Sequence, residues 1–319
     1  MEQEYLLSVR DLTVRYPGAP SPVLRDVSLA LRPAAVTCVI GESGSGKSTL
    51  FHAILRLPGR VEILGGSVAF RGRELGAMTK QELRLLRGRG IGAVFQEPGA
   101  SLDPIRKIET QFREAIRAHE PRVTRAQARE RAAGLLKSME FPDPDRILQS
   151  CPVQLSGGMN QRVAVAMAMA PGPELLLADE PTSALDVTVQ AQLVEELLRL
   201  RDRYRTAILM VTHNMGVVAK MADRVAVMYG GRIVEYGPKD DVLRRPAHPY
   251  TRALLAAVPK LDGQPPRPIP GRRPEVFPET GCAFAPRCDR ARAECAAMIP
   301  RRRVLSGEHW TLCGEEAGR

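Results

Sequence analysis

The 319-residue sequence is poor in aromatic residues, which make up 4% of the chain and include a single tryptophan. Proteins that bind single-stranded nucleic acid stack bases on aromatic side chains, so this composition does not favour such a role. No run of eighteen apolar residues occurs, and the first residues lack the basic and apolar regions of a secretory signal. We therefore expect a chain that neither crosses a membrane nor is exported.

The remaining composition, with 44% hydrophobic and 26% charged residues, is typical of a globular protein. The length favours one large domain with an appendage, or two domains. The formal net charge is +10, but basic and acidic residues are interspersed, and basic clusters such as Arg301–Arg303 are short. We interpret this charge as a basic surface that aids solubility or tolerates anionic lipid, and we predict no nucleic-acid partner.

The apolar pattern predicts an α/β fold with a mostly parallel core sheet, because buried strands alternate with helices. Short alternating runs near the amino terminus predict a β-rich edge. Apolar residues recur at helical spacing after Thr124, which predicts an inserted helical subdomain at about 105–165. The predicted core strands are 36–40, 175–179 and 207–211, and a helix is predicted around 187–200.

The segment Gly41–Ser48 matches the phosphate-binding pattern Gly-x-x-x-x-Gly-Lys-Ser/Thr between a predicted strand and a predicted helix. Backbone N–H groups of such a loop surround phosphate oxygens, and the helix N-terminus adds partial positive charge. Lys47 is expected to reach the β- and γ-phosphates of ATP, and Ser48 to bind Mg²⁺. The residues expected to contact the nucleotide are Gly41, Ser43, Gly44, Ser45, Gly46, Lys47, Ser48 and Thr49.

Two carboxylates end the apolar strand 175–179. Asp179 is placed to hold Mg²⁺, directly or through water, and Glu180 to polarise the attacking water. Acidic residues also occur at strand ends because they cap the following helix. We interpret this pair as catalytic because the chain also contains the phosphate-binding pattern.

The stretch Leu155–Arg162 resembles the signature motif of ATP-binding-cassette (ABC) ATPases and directly precedes the strand with the two carboxylates. Gln96 is similar to the Q-loop of that family, Ser183–Asp186 to its D-loop, and His213 to its switch histidine. Tyr16 lies where the family stacks an aromatic ring on adenine. The resemblance covers roughly residues 6 to 236, with the motifs in the family order.

The resemblance implies an ATP-hydrolysing enzyme that works as a head-to-tail dimer. Glu180 is then the general base, His213 contacts the γ-phosphate, and Gln96 touches Mg²⁺ or water and senses a membrane partner. The signature of one subunit closes over ATP bound to the other, so the residues implied there are Ser156, Gly157, Gly158 and Asp186. Two residues depart from the pattern, Asn160 for a common arginine and Asn214 for a common aspartate, and neither removes a catalytic group.

Three further stretches resemble the ATPases of dipeptide, oligopeptide and nickel importers: 97–104, 185–192 and 246–255. The resemblance implies a second ATPase subunit, two membrane-spanning permeases, an extracytoplasmic solute-binding protein and a peripheral position at the cytoplasmic face of the membrane. Peptides are the expected cargo, with nickel or another small solute as the alternative. A soluble ABC ATPase acting on nucleic acid or ribosomes is the other class, and the single phosphate loop opposes it.

A proline-rich stretch at 265–270 predicts a linker, so we divide the chain into a nucleotide-binding domain (1–259) and a linker with a C-terminal tail (260–319). Cys38 and Cys151 are expected to be buried apolar residues. Similar tails in peptide importers carry a four-cysteine pattern associated with a [4Fe-4S] cluster. Zinc and free or redox-active thiols stay open as alternatives, because the spacing is looser than in common zinc modules. The tail cysteines are Cys282, Cys288, Cys295 and Cys313.

Overall fold

The computed structural model describes residues 5–97, 101–183, 185–259, 265–274, 277–278, 280–297 and 299–314. Its strands are β1 (Leu7–Arg15), β2 (Leu24–Leu31), β3 (Val36–Ile40), β4 (Glu62–Phe70), β5 (Arg73–Glu74), β6 (Ile91–Val94), β7 (Leu175–Asp179), β8 (Ala207–Val211), β9 (Arg224–Tyr229), β10 (Arg232–Pro238), β11 (Arg303–Ser306) and β12 (His309–Thr311). Its helices are α1 (Lys47–Ile54), α2 (Lys80–Arg89), α3 (Ile108–Arg117), α4 (Arg125–Ser138), α5 (Pro144–Gln149), α6 (Gly157–Met169), α7 (Val187–Tyr204), α8 (Met215–Met221), α9 (Lys239–Arg244), α10 (Pro249–Ala256) and α11 (Glu294–Ala297).

The chain folds as two compact units whose segments alternate along the sequence. The first unit contains the described residues of 1–8, 30–36 and 69–212, and the second those of 9–29, 37–68 and 213–319. Within the described residues, no helix is long and apolar enough to cross a lipid bilayer.

The first unit is built on three parallel strands, β6, β7 and β8, in that order. Every residue of β7 and β8 is buried, as expected for the continuous apolar runs of a covered parallel sheet. The register pairs Val94 with Ala178 and Asp179 with Val211, so all three strands end at the same edge. The bounds of β7 and β8 are those that the apolar pattern predicts.

Helices α3 to α6 of the first unit lie in the region where a helical subdomain is predicted. Thr124 caps α4 as predicted, because its side chain accepts the Gln127 N–H while the Gln127 side chain accepts the Thr124 N–H. The side chains at the predicted helical spacing are buried, namely Ala128, Ala132, Leu135, Leu136 and Met139.

The second unit contains parallel strands β3 and β9, followed by antiparallel partners in the order β9, β10, β12, β11. It also contains the main parts of β2, β1 and β4, which neighbour one another in that order. Described residues of the proline-rich stretch 265–270 form neither helix nor strand. Beyond it, Trp310 of β12 packs on Tyr236 of β10 with ring centroids 5.9 Å apart, so the end of the tail extends the sheet of this unit.

Candidate nucleotide-binding site

The predicted phosphate loop connects β3 to α1 in the second unit. All three of its glycines, including Gly44 with φ 72°, hold backbone conformations that other residues rarely adopt. Gly41 has φ 149°, and a Cβ there would overlap the backbone oxygen of Met228; Gly46, the residue before α1, has φ 104°. The glycines of the motif are therefore required by the local backbone as well as by a phosphate.

Lys47 and Ser45 point polar groups into this loop. Lys47 is only 6% exposed, and its ammonium donates to the carbonyl oxygens of Gly41 at 2.8 Å and Glu42 at 2.9 Å. The Ser45 hydroxyl is buried and has no hydrogen-bond partner among the described residues. A buried cation and an unsatisfied hydroxyl beside helix N-terminal N–H groups fit the binding of a nucleotide phosphate. Ser48, the predicted Mg²⁺ ligand, is half-buried in the first turn of α1.

Tyr16 lies beside the same helix. Its hydroxyl is 2.7 Å from the hydroxyl of buried Thr49, and the residue is 41% exposed. The hydrogen bond fixes one end of the tyrosine while its ring stays accessible. This geometry suits an aromatic platform for a base next to the phosphate loop.

Gln96, Asp179 and Glu180 lie at one edge of the first unit. Asp179 ends β7 and is buried, Glu180 is half-buried, and exposed Gln96 follows β6 by two residues. Glu180 has φ 48°, and its N–H donates to the Val211 carbonyl at 2.9 Å. Its own carbonyl accepts both the N–H and the hydroxyl of Ser183 at 3.1 Å. The backbone around Glu180 is therefore held in a strained conformation, which is common at functional sites.

The signature and D-loop residues of the first unit begin two neighbouring helices. Ser156 caps α6 by accepting the Met159 N–H at 3.2 Å, and Asp186 caps α7 by accepting the Thr188 and Val189 N–H groups at 3.0 Å. A Cβ on Gly158 would lie 3.2 Å from Val189, so glycine allows the two helix ends to approach closely. Ser156, Gly157 and Asp186 are exposed. Ala184 of the predicted D-loop lies outside the described residues, as do residues 98–100 of the predicted stretch after Gln96.

The two departures from the family pattern have local explanations. Asn214 caps α8, since its side-chain oxygen accepts the N–H groups of Gly216 at 2.8 Å and Val217 at 3.3 Å, which an aspartate would also do. Asn160 donates to the Pro152 carbonyl at 2.9 Å. The predicted switch histidine, His213, is exposed and follows β8 by two residues.

The predicted residues thus form two groups. The second unit holds Tyr16, the loop residues 41–49 and His213, whereas the first unit holds Gln96, Asp179, Glu180, residues 156–158 and Asp186.

Sequence reasoning missed several residues that contact the phosphate loop. Arg287 pairs with the carboxylate of Glu42 at 2.7 and 3.2 Å, and the Tyr250 hydroxyl accepts the Glu42 N–H at 2.8 Å. Arg273 donates to the carbonyls of Ser43 and Gly44, the latter at 3.0 Å. The stretch 246–255 marked Tyr250 as a family feature without a role, and no local pattern identifies arginines more than 200 residues from the loop.

The tail cysteines lie near one another, but the described residues contain no group of three or more His, Cys, Asp or Glu side chains placed to hold a metal ion. The Cys282 N–H donates to the Cys295 carbonyl at 2.7 Å. Burial raises the pKa of Cys282, and the charges of Cys313 and Cys295 raise it further. Burial also raises the pKa of Cys288, with smaller contributions from Asp289, Cys282 and Cys313. The structure therefore does not support the predicted iron–sulfur or zinc centre as the side chains stand.

The other two cysteines differ from each other. Cys38 is fully buried, as predicted, and burial raises the pKa of its thiol to about 12. Cys151 is half-buried rather than buried, and its thiol donates to the Ile105 carbonyl at 3.3 Å.

Two regions of the chain match known protein families. Residues 24–183 match the ABC transporter family, and residues 234–295 match the C-terminal region of oligopeptide/dipeptide transporters. The chain is 42% identical to the probable peptide ABC transporter ATP-binding protein y4tR of Sinorhizobium fredii, over 97% of this chain and 95% of that protein. It is 38% identical to the dipeptide transport ATP-binding protein DppD of Bacillus subtilis, over 97% and 94% of the two chains.

Among solved structures, the dimeric ATP-binding cassette MJ0796 in a post-hydrolysis state with ADP and Pi is 27% identical, with a TM-score of 0.65. That alignment covers 73% of this chain and 98% of the other chain. The predicted α/β fold of ABC ATPases is confirmed.

Proposed function

The chain belongs to the ATP-hydrolysing, ATP-binding proteins of ABC transporters, and we propose that it powers the import of dipeptides or oligopeptides. The assignment of peptides as cargo rests on similarity along nearly the whole chain to peptide and dipeptide transport proteins, together with the matching C-terminal region at 234–295.

We propose that these residues bind and hydrolyse ATP. Lys47 and the loop N–H groups would bind the phosphates, the exposed ring of Tyr16 would carry the adenine, and Ser48, Gln96 and Asp179 would hold Mg²⁺. A bound Mg²⁺ neutralises charge on the phosphate oxygens. Glu180 would take a proton from the attacking water and His213 would contact the γ-phosphate. The strained, hydrogen-bonded backbone of Glu180 supports this role.

We propose that ATP also joins two such chains, this one and a related chain or a second copy. The exposed helix N-terminus capped by Ser156 supports this proposal, because exposed helix N-termini attract anions and α6 begins with two glycines. The closing residues would be Ser156, Gly157, Gly158 and Asp186.

We propose that two membrane-spanning permeases hold the chain at the cytoplasmic face of the membrane and receive peptide from an extracytoplasmic solute-binding protein. Two exposed apolar side chains support a docking surface in the first unit: Ile105 is 79% exposed and Val153 is 71% exposed. They lie close together, since the Val153 N–H donates to the Pro104 carbonyl at 3.2 Å. Exposed apolar neighbours of this kind mark interaction surfaces.

The cargo is tested by reconstituting the chain with its permeases and solute-binding protein in liposomes. Uptake of a labelled dipeptide or oligopeptide should depend on ATP, and Lys47→Ala should abolish it. ATP-dependent uptake of nickel without uptake of any peptide would show that the alternative cargo is correct.

We propose that residues 1–259 form the nucleotide-binding domain. We also propose that the four cysteines of the 260–319 region bind a [4Fe-4S] cluster, or alternatively Zn²⁺, after a rearrangement of side chains. Support comes from proximity within the tail: the Cys282 N–H donates to the Cys295 carbonyl at 2.7 Å, and after burial the charge of Cys313 contributes to the raised pKa of Cys282 and of Cys288. Iron and zinc analysis of anaerobically purified protein tests this proposal. Cys288→Ser should lose the metal and Cys38→Ser should keep it, whereas protein with neither metal near one centre per chain would exclude it.

A further inference from the structure

We propose that Tyr250 and Arg287 are positioning residues of the phosphate loop, which act through Glu42 and thereby set the affinity for ATP. This inference rests on the proposed function, in which the loop binds the phosphates of ATP. The C-terminal region then takes part in nucleotide binding. The sequence does not suggest this role, because the tail lies far from the ATP-binding motif along the chain.

Glu42 is the second residue of the loop, and each of its polar groups has a partner in the second unit. Arg287 pairs with the carboxylate, and the Tyr250 hydroxyl accepts the N–H. The Glu42 carbonyl accepts the Lys47 ammonium at 2.9 Å and the Ser45 N–H at 3.2 Å. A shift of Glu42 would therefore displace the groups that are placed to bind phosphate.

Arg287 is anchored for this role. Its side chain is 4% exposed, and besides Glu42 it donates to the Pro270 carbonyl at 2.7 Å and the Tyr229 hydroxyl at 3.2 Å. Its guanidinium lies 5.9 Å from the ring centroid of Phe284. A planar guanidinium that makes a two-pronged contact with a carboxylate holds it in one orientation.

Tyr250 is anchored by two aromatic rings and by the start of its own helix. Its ring packs on those of Tyr229, at 4.5 Å between centroids, and Phe284, at 5.3 Å. It lies in the first turn of α10, which His248 caps by accepting the Tyr250 N–H at 3.1 Å. The preceding backbone is fixed by buried Glu235, whose carboxylate accepts the N–H groups of Ala247 and His248 at 2.8 and 2.9 Å. The His-Pro-Tyr stretch thus delivers a hydroxyl to the phosphate loop.

Arg287 also affects ATP binding through its positive charge. Glu42 places a negative charge in a loop that has to bind a polyanion, and a nearby like charge opposes such binding. Arg287 neutralises it. Removal of Arg287 leaves an unpaired, half-buried carboxylate beside the phosphates, whereas removal of both charges does not.

The test measures binding of a fluorescent ATP analogue to the purified full-length chain, with melting temperature recorded for each variant. We expect Arg287→Ala to weaken binding about tenfold, within the usual range of coupling between sites. Tyr250→Phe, which keeps the ring and removes the hydroxyl, should weaken it less. Arg290→Ala is the matched control, since this exposed arginine lies three residues away, and it should bind like wild type.

The double variant Glu42→Gln with Arg287→Ala separates the two effects of Arg287, because it removes the unpaired carboxylate but does not restore the contact that holds the loop. It should recover part of the lost affinity, and the remainder should stay lost, although its melting temperature stays low. If Arg287→Ala does not fold, Arg287→Lys tests positioning alone, because lysine keeps the charge but cannot make the two-pronged contact, and it should still weaken ATP binding. Wild-type affinity in folded Arg287→Ala, or wild-type affinity in the double variant, would overturn the positioning role. Absence of ATP binding by wild type would instead overturn the proposed function.

Discussion

His248 makes the stability of the second unit depend on pH in a direction that the structure determines. The residue is 1% exposed, and burial, with a smaller contribution from the charge of Arg252, lowers its pKa from 6.5 to about 4; the carboxylate of Glu235 opposes this shift. The neutral ring is also needed locally, because its Nδ1 accepts the Tyr250 N–H. Protonation would remove that acceptor and place an ion in the core.

The sign follows from proton binding in the two states. Above pH 6.5 neither state binds a proton at His248, but between pH 6.5 and about 4 the unfolded chain does and the folded chain does not. Stability is therefore lost as the pH falls through this interval. One pKa unit corresponds to about 1.4 kcal/mol, so the lowering of the pKa from 6.5 to about 4 predicts a loss of about 3 kcal/mol.

The measurement is the free energy of unfolding by urea at half-unit pH steps from 7.5 to 4. His248→Asn is the matched variant, because asparagine also caps helices but does not titrate. We expect the variant to show a shallower pH dependence than wild type, with the difference confined to the interval below pH 6.5. Parallel curves for the two proteins would refute the reasoning.

Three further predictions concern the nucleotide site. Glu180→Gln should retain ATP binding and lose about a hundredfold in turnover, which corresponds to about 2.7 kcal/mol of activation barrier, in a steady-state phosphate-release assay. Glu174→Gln is the control, and turnover of Glu180→Gln above a tenth of wild type would contradict the role of Glu180 as general base. Lys47→Ala should weaken nucleotide binding by the isolated chain, whereas Ser156→Arg should leave nucleotide binding intact and prevent ATP-dependent dimerisation, measured by light scattering. An equal loss of nucleotide affinity in the two variants would refute the head-to-tail arrangement. Gly41→Ala should weaken ATP binding, because the added Cβ meets a backbone oxygen of β9 and the resulting strain, about 1–3 kcal/mol, opposes the native conformation of the loop. Calorimetry showing unchanged affinity would contradict this.

The four-cysteine region shows how far a pattern alone can lead. Clustering of the cysteines along the chain predicts spatial proximity, and the hydrogen bond from the Cys282 N–H to the Cys295 carbonyl agrees with it. Ligand geometry is a different property, because it requires thiols to converge on one point, and spacing along the chain does not encode that convergence. The described side chains do not converge in this way.

The sequence by itself determined those helices and strands whose bounds depend on residues close to one another along the chain. Strands β7 and β8 have the predicted bounds because a continuous apolar run is stable only where both faces of the strand are buried. Helix α4 begins directly after Thr124 because the capping contacts of this residue are local. The order of the motifs along the chain likewise identified the family. Only the tertiary structure decided which residues hold the phosphate loop, because Arg287 lies 245 residues from Glu42 and Tyr250 lies 208 residues from it. Contacts at such separations arise when the sheet brings β3, β9 and β10 side by side, and no periodicity or spacing in the sequence carries that information.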